Sequence, residues 1–190
     1  MASFGDIGAA QARVLHGWIG HPLAMPANLV FAAGNHLSPS RYDLLGDAHF
    51  DATGRRAIDI GSGDDAFVGS GWHSAEREPG ATFRWAAKDA DVLVPSVGRG
   101  TVRIRVRIQP FVYAGSPSQT VRVELGGTPV GSATLVPGWQ WVEFEPRATG
   151  GATTLAFHFD EARSPADTGL SADRRILCAA IDVIEIERVR

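Results

Sequence analysis

The chain has 190 residues, 44% hydrophobic and 21% charged, enough for one domain with a buried core; this balance excludes wholesale disorder, a coiled coil and a collagen-like chain. A formal net charge of -3 argues against a nucleic-acid partner, and no apolar run approaches the roughly 18 to 20 residues of a membrane helix, so membrane insertion is not expected. The sole cysteine, Cys178, excludes an intrachain disulfide framework and a cysteine-based zinc site.

Residues 1–55 have the texture of an irregular, partly helical extension. Gln11 to Trp18 suits a short helix, but His21-Pro22 and Met25-Pro26 interrupt any long one, because proline lacks an amide donor and restricts the residue before it. Ser38-Pro39-Ser40 resembles a helix start, with serine as cap and proline in the first turn. Trp18, Leu29, Val30 and Phe31 make the segment too apolar for a free tail, so it is expected to pack on the remaining domain. The opening residues lack a basic start followed by a continuous apolar core, so the chain as it stands is expected in the cytoplasm. As a piece of a larger protein it would belong at the cell envelope.

From Arg56 to Arg190 the hydrophobic period is two. Ala57 to Ile60, Thr82 to Ala86 and Asp91 to Val94 are short strand candidates. The clearest strand is Thr101 to Ile108, where Val102, Ile104, Val106 and Ile108 alternate with Arg103, Arg105 and Arg107. Val121, Val123 and Leu125 lead through Gly126-Gly127 into Val130 to Leu135, which predicts a hairpin. Leu155, Phe157 and Phe159 alternate with polar residues, and the β-branched tail from Ile176 to Val189 supplies one or two more strands, with Cys178 as a small core residue. Short strands separated by Gly and Pro turns, without helix-strand alternation, predict an all-β, antiparallel β-sandwich of jelly-roll type over residues 56–190.

Trp139 and Trp141 share one face of a predicted strand, opposite Val142 and Phe144. An outward face would make them an aromatic platform, since sugar rings present C–H faces that stack on indole. Coverage by the extension would instead make them a second small core. Trp72, His73, Glu76 and Arg84 form a second candidate ligand-binding cluster; the structural alternative pairs Glu76 with Arg84 across a hairpin and puts Trp85 in the core. The row of Arg103, Arg105 and Arg107 suits either an anion or a solvated face balanced by Glu124 and Glu143. Neither a His-x-His pair nor a His-Glu-x-x-His helix nor a Gly-x-Ser-x-Gly elbow is present, and aspartates follow Gly61-Ser62-Gly63 where a phosphate loop would need none. No catalytic residue is assigned, although Glu143 and Glu145 leave a sandwich-fold glycan hydrolase or lyase open.

Three stretches, Ile58 to Gly61 through Gly71-Trp72-His73-Ser74-Ala75-Glu76, Phe83-Arg84-Trp85-Ala86, and Ser164-Pro165 through Leu177, together resemble β-sandwich accessory domains. Such domains are attached to bacterial glycosyltransferases and cell-surface polysaccharide proteins and are similar to galactose-binding-like and carbohydrate-binding modules. The resemblance covers about residues 56 to 190. It implies a jelly roll that binds an oligosaccharide or polysaccharide, or positions it for a glycan-active protein partner, without cleaving it. A structural or protein-interaction sandwich without a sugar ligand is the alternative. The resemblance also implies a structural calcium, with Asp182 on the last strand as a ligand and Asp59, Asp64 or Asp65 supplying further oxygens.

Overall fold

In a computed structural model the described residues are 54–95 and 97–189. The expected N-terminal extension, and with it the question of whether it covers the tryptophans, lies outside them. Eleven strands follow in chain order: β1 (Arg55–Asp59), β2 (Trp72–Glu78), β3 (Ala81–Ala86), β4 (Asp89–Val94), β5 (Arg99–Pro110), β6 (Gln119–Leu125), β7 (Thr128–Leu135), β8 (Gln140–Phe144), β9 (Arg147–Thr149), β10 (Thr153–Phe159) and β11 (Ala179–Arg188). They form a larger sheet ordered β2-β3-β11-β5-β8, with β1 also on β11 and β9 also on β5, and a smaller sheet ordered β4-β10-β6-β7. All the strand pairs are antiparallel. Among the described residues no helix is long and apolar enough to cross a membrane.

The alternation of β5 decides which face is which. Val102, Ile104, Val106 and Ile108 are fully buried, with Ile181, Ile184 and Ile186 of β11 beside them. From the other sheet Val121, Val123, Leu155, Phe157 and Phe159 complete the core. The cross-strand partners bury one side of each ladder and expose the other, the pattern of two sheets packed face to face. Gly126 and Gly127 join β6 to β7 with φ of 59° and 76°, the left-handed pair that a two-residue hairpin turn requires. Cys178 is fully buried, and burial pushes its thiol up to about 12, as expected of a core residue.

Two features set up the outer face of the larger sheet. The register of β11 on β5 shifts between Ile181 and Val183, a bulge in which one extra residue, Asp182, is inserted. In β3 the usual logic is inverted. Ala86 is fully buried among the core residues, so Arg84, two positions earlier, lies on the inner side, and Phe83 and Trp85 lie on the outer side. An inward-side arginine is tolerated because Asp64 receives it, with Nε at 2.7 Å and Nη2 at 2.8 Å from the carboxylate oxygens.

Candidate functional site

The outer face of the larger sheet follows from the pleat. With Val106 and Ile108 inward, Arg105 and Arg107 of β5 point outward, and the register places Trp141 of β8 directly opposite Arg107. The guanidinium carbon of Arg105 lies 4.3 Å from the ring centroid of Trp141, and that of Arg107 lies 5.0 Å from that of Trp139. These are cation–π contacts, worth about 0.5–1 kcal/mol each at exposed sites. Trp141 is 41% exposed and Trp139 half-buried. The indole N–H of Trp139 donates to Glu78 of β2.

Trp139 continues into a row of rings. It meets Phe83 edge-to-face at 5.7 Å, Phe83 meets Trp85 at 6.0 Å, Trp85 meets Phe111 at 5.9 Å, and Phe111 meets Tyr113 at 5.8 Å. Beneath them Ala180, the β11 residue opposite Trp85, is fully buried. Only Trp139 and Trp141 of this row were legible as surface candidates. Trp85, which the structural alternative for the second cluster puts in the core, lies on the outer side instead, opposite Ala180; Phe111 and Tyr113 lie beyond the end of β5, where periodicity gives no orientation.

The charges on the face are arranged as an ion-pair lattice. Arg103 reaches Glu143 at 3.0 Å, Glu145 at 2.9 Å and Glu187 at 4.0 Å. Arg105 reaches Glu185 at 2.9 Å and Glu143 at 3.8 Å, and Arg107 pairs with Asp182. The hydrogen bonds that Arg103 donates to Glu145, with the charge of Glu143, hold its guanidinium pKa above the ordinary value. The row is thus a neutralised face rather than an open anion site. Glu143 belongs to it as expected. Glu124 does not: it lies on β6 of the other sheet, 3.9 Å from the ring of His158.

The second cluster does not converge on one surface. Trp72 packs on the core, edge-to-face with Phe157 at 6.4 Å, and its indole N–H donates to the carbonyl of Asp91 at 2.7 Å. His73 Nε2 bonds the carbonyl of Ile176 at 2.7 Å. Glu76 and Arg84 do not pair with each other. The register sets Ala75 opposite Arg84 and Glu76 opposite Phe83, so their side chains leave opposite faces. Glu76 receives Arg175 at 2.6 Å, and Arg84 is held by Asp64 and by Asp65 at 2.9 Å. These contacts tie β2 and β3 to the loops before and after them.

The carboxylates considered for calcium are engaged elsewhere. Asp182 pairs with Arg107, and Asp59 accepts from the Thr82 hydroxyl at 2.9 Å. Asp64 holds Arg84 and accepts the Gly61 amide at 2.8 Å, while Asp65 holds the same arginine. Burial would raise the Asp64 pKa, but the Arg84 hydrogen bonds, the Gly61 amide and the Arg84 charge outweigh it and hold the carboxyl below its ordinary range. Among the described residues no three His, Cys, Asp or Glu side chains converge. This arrangement does not offer the several free oxygens that calcium takes.

No protein-family model matches the chain, and no curated protein matches it. Similar solved structures include carbohydrate-binding modules. One is the C-terminal CBM6 of the laminarinase LamC from Zobellia galactanivorans, at 14% identity over 70% of this chain and 99% of that one, with a TM-score of 0.44. Another is a family 35 module from Clostridium thermocellum, at 14% identity over 70% of this chain and 98% of that one, with a TM-score of 0.46. The mosquito-larvicidal Cry4Aa toxin of Bacillus thuringiensis matches at 15% identity over 72% of this chain and 24% of the toxin, with a TM-score of 0.50. At 15% identity and below these likenesses concern fold alone, and the strand pairing itself establishes the described residues as an all-β, antiparallel sandwich.

Proposed function

We propose that the chain is a non-catalytic carbohydrate-binding module whose ligand stacks on Trp141 and Trp139 of the larger sheet. The observation that carries this reading is the presentation of Trp141. A large indole is 41% exposed on a strand, yet it is held by a guanidinium at 4.3 Å that is itself tied to Glu185 and Glu143. A fixed indole with one open side suits the C–H face of a sugar ring, because little side-chain freedom is lost on binding. The neighbouring carboxylates, Glu143 and Glu78, accept hydrogen bonds from hydroxyls. Glu143 and Glu145 are both tied to Arg103, which favours a binding role for that pair over an acid–base one. A module of this kind holds an oligosaccharide or polysaccharide near a glycan-active partner.

Calorimetric titration against a panel of oligosaccharides, comparing wild type with Trp141→Ala and Trp139→Ala, tests this. Saturable binding that Trp141→Ala weakens at least about tenfold, with the melting temperature retained, is the expected result. A panel without binding, or binding indifferent to both substitutions, overturns the reading. Catalysis would show as shortened products after incubation with the same panel.

A further inference from the structure

At the opposite end of the sandwich from Trp139 lies a cavity of about 440 Å³, between the β6–β7 turn and the segment from Glu145 to Thr153. We propose that it is a second binding site, for a hydroxyl-rich carboxylate of the sugar-acid class. Its volume falls within the roughly 300–1,000 Å³ of small-molecule sites, too small for a macromolecular surface. Apolar walls come from Leu125, Pro129 and Val130, and hydroxyls come from Thr128, Thr149 and Thr153.

The charge at this cavity differs from that of the rest of the sheet. Arg103, Arg105 and Arg107 are each ion-paired. Arg147, which lines the cavity, is exposed and has no ion-pair partner among the described residues. Arg99 is likewise exposed and without one; it stands opposite Thr149 in the ladder and packs over the cavity residue Gly150, where a Cβ would lie 3.0 Å from Arg99 Cγ. Two free guanidiniums therefore flank the turn after β9. The acidic lining residue Glu145 is engaged by Arg103 at 2.9 Å, a guanidinium it shares with Glu143, and the two free guanidiniums outnumber it. A planar guanidinium fork matches a carboxylate bidentately, and the threonine hydroxyls serve as donors and acceptors to ligand hydroxyls. This site stands independently of the tryptophan face.

The test is a titration of the ¹⁵N-labelled chain, followed by amide shifts, with glucuronic acid, glucose and inorganic phosphate, in wild type, Arg147→Ala, Arg99→Ala and Trp141→Ala. Expected are saturable shifts around residues 126–130 and 145–153 with glucuronic acid, binding at least about tenfold weaker with glucose, and a similar loss in either arginine variant. Trp141→Ala should leave the response unchanged. Both arginines are exposed without partners, so neither variant should melt lower. Equal binding of phosphate would mean an adventitious ion only. Absence of shifts, or shifts that survive both arginine substitutions, would also overturn the proposal.

Discussion

Replacing Asp64 with alanine should destabilise the sandwich by about 3 kcal/mol. The carboxylate is 2% exposed and takes three hydrogen bonds, from Arg84 Nε at 2.7 Å, Arg84 Nη2 at 2.8 Å and the Gly61 amide at 2.8 Å. Breaking a buried pair from one side costs roughly 3–5 kcal/mol, because the remaining charge is left uncompensated. The lower end applies here, since Arg84 keeps 14% exposure and Asp65 remains at 2.9 Å. For a domain of this size that is a fall in melting temperature of about 9 °C, at roughly 3 °C per kcal/mol. A double-mutant cycle with Arg84→Ala, read by urea unfolding, should show a coupling of at least about 1 kcal/mol. The pH dependence has a definite sign. Because the folded-state carboxyl titrates below its ordinary value of 3.8, its stabilisation is complete above the unfolded pKa and is lost as pH falls through the folded one. The gap between wild type and Asp64→Asn should therefore close from about pH 5 towards pH 2. A loss under about 1 kcal/mol, or additive single substitutions, would refute this account of why an arginine faces inward on β3.

Other consequences follow from single positions. Cys178, with its thiol pushed up to about 12 by burial, should resist iodoacetamide at pH 8 in the native state and react on unfolding, as mass spectrometry would show. Gly61→Ala should lower stability by at least about 1–3 kcal/mol in urea unfolding, because the backbone sits at φ 96° and a Cβ would lie 2.5 Å from the Phe83 nitrogen. Phe157→Ala, which removes a fully buried ring and the edge contact to Trp72 at 6.4 Å, should cost about 3–5 kcal/mol in the same assay. Chelator should leave the melting temperature unchanged, since arginines already neutralise Asp64 and Asp182; a clear fall on chelation would revive the calcium site.

Legibility in the sequence tracked periodicity. The buried stripe of β5, the hairpin at Gly126-Gly127 and the Leu155-Phe157-Phe159 face are all period-two patterns over one core, and each is a strand with the expected side inward. β2 is an edge strand whose side chains are exposed or half-buried in no regular alternation, so no apolar period marks it, and β9 spans three residues, too few to carry one. The site was half legible for a related reason. Trp139 and Trp141 oppose a clear inward set, Val142 and Phe144, which fixes their direction. Trp85 depended on Arg84 being inward, and that depended on Asp64, twenty residues away in sequence. The bulge that inserts Asp182 beside Arg107 adds one residue to a strand, and no single-chain pattern announces it.

The central claim is that Trp139 and Trp141, and not the core-packed Trp72, meet the sugar. The chain has five tryptophans, so the indole N–H resonances can be assigned by substitution and followed during titration with an oligosaccharide that binds. The account predicts that the Trp141 and Trp139 signals move together and saturate, while that of Trp72, bonded to the Asp91 carbonyl at 2.7 Å, stays fixed. Movement of Trp72 with Trp139 and Trp141 unmoved would contradict it.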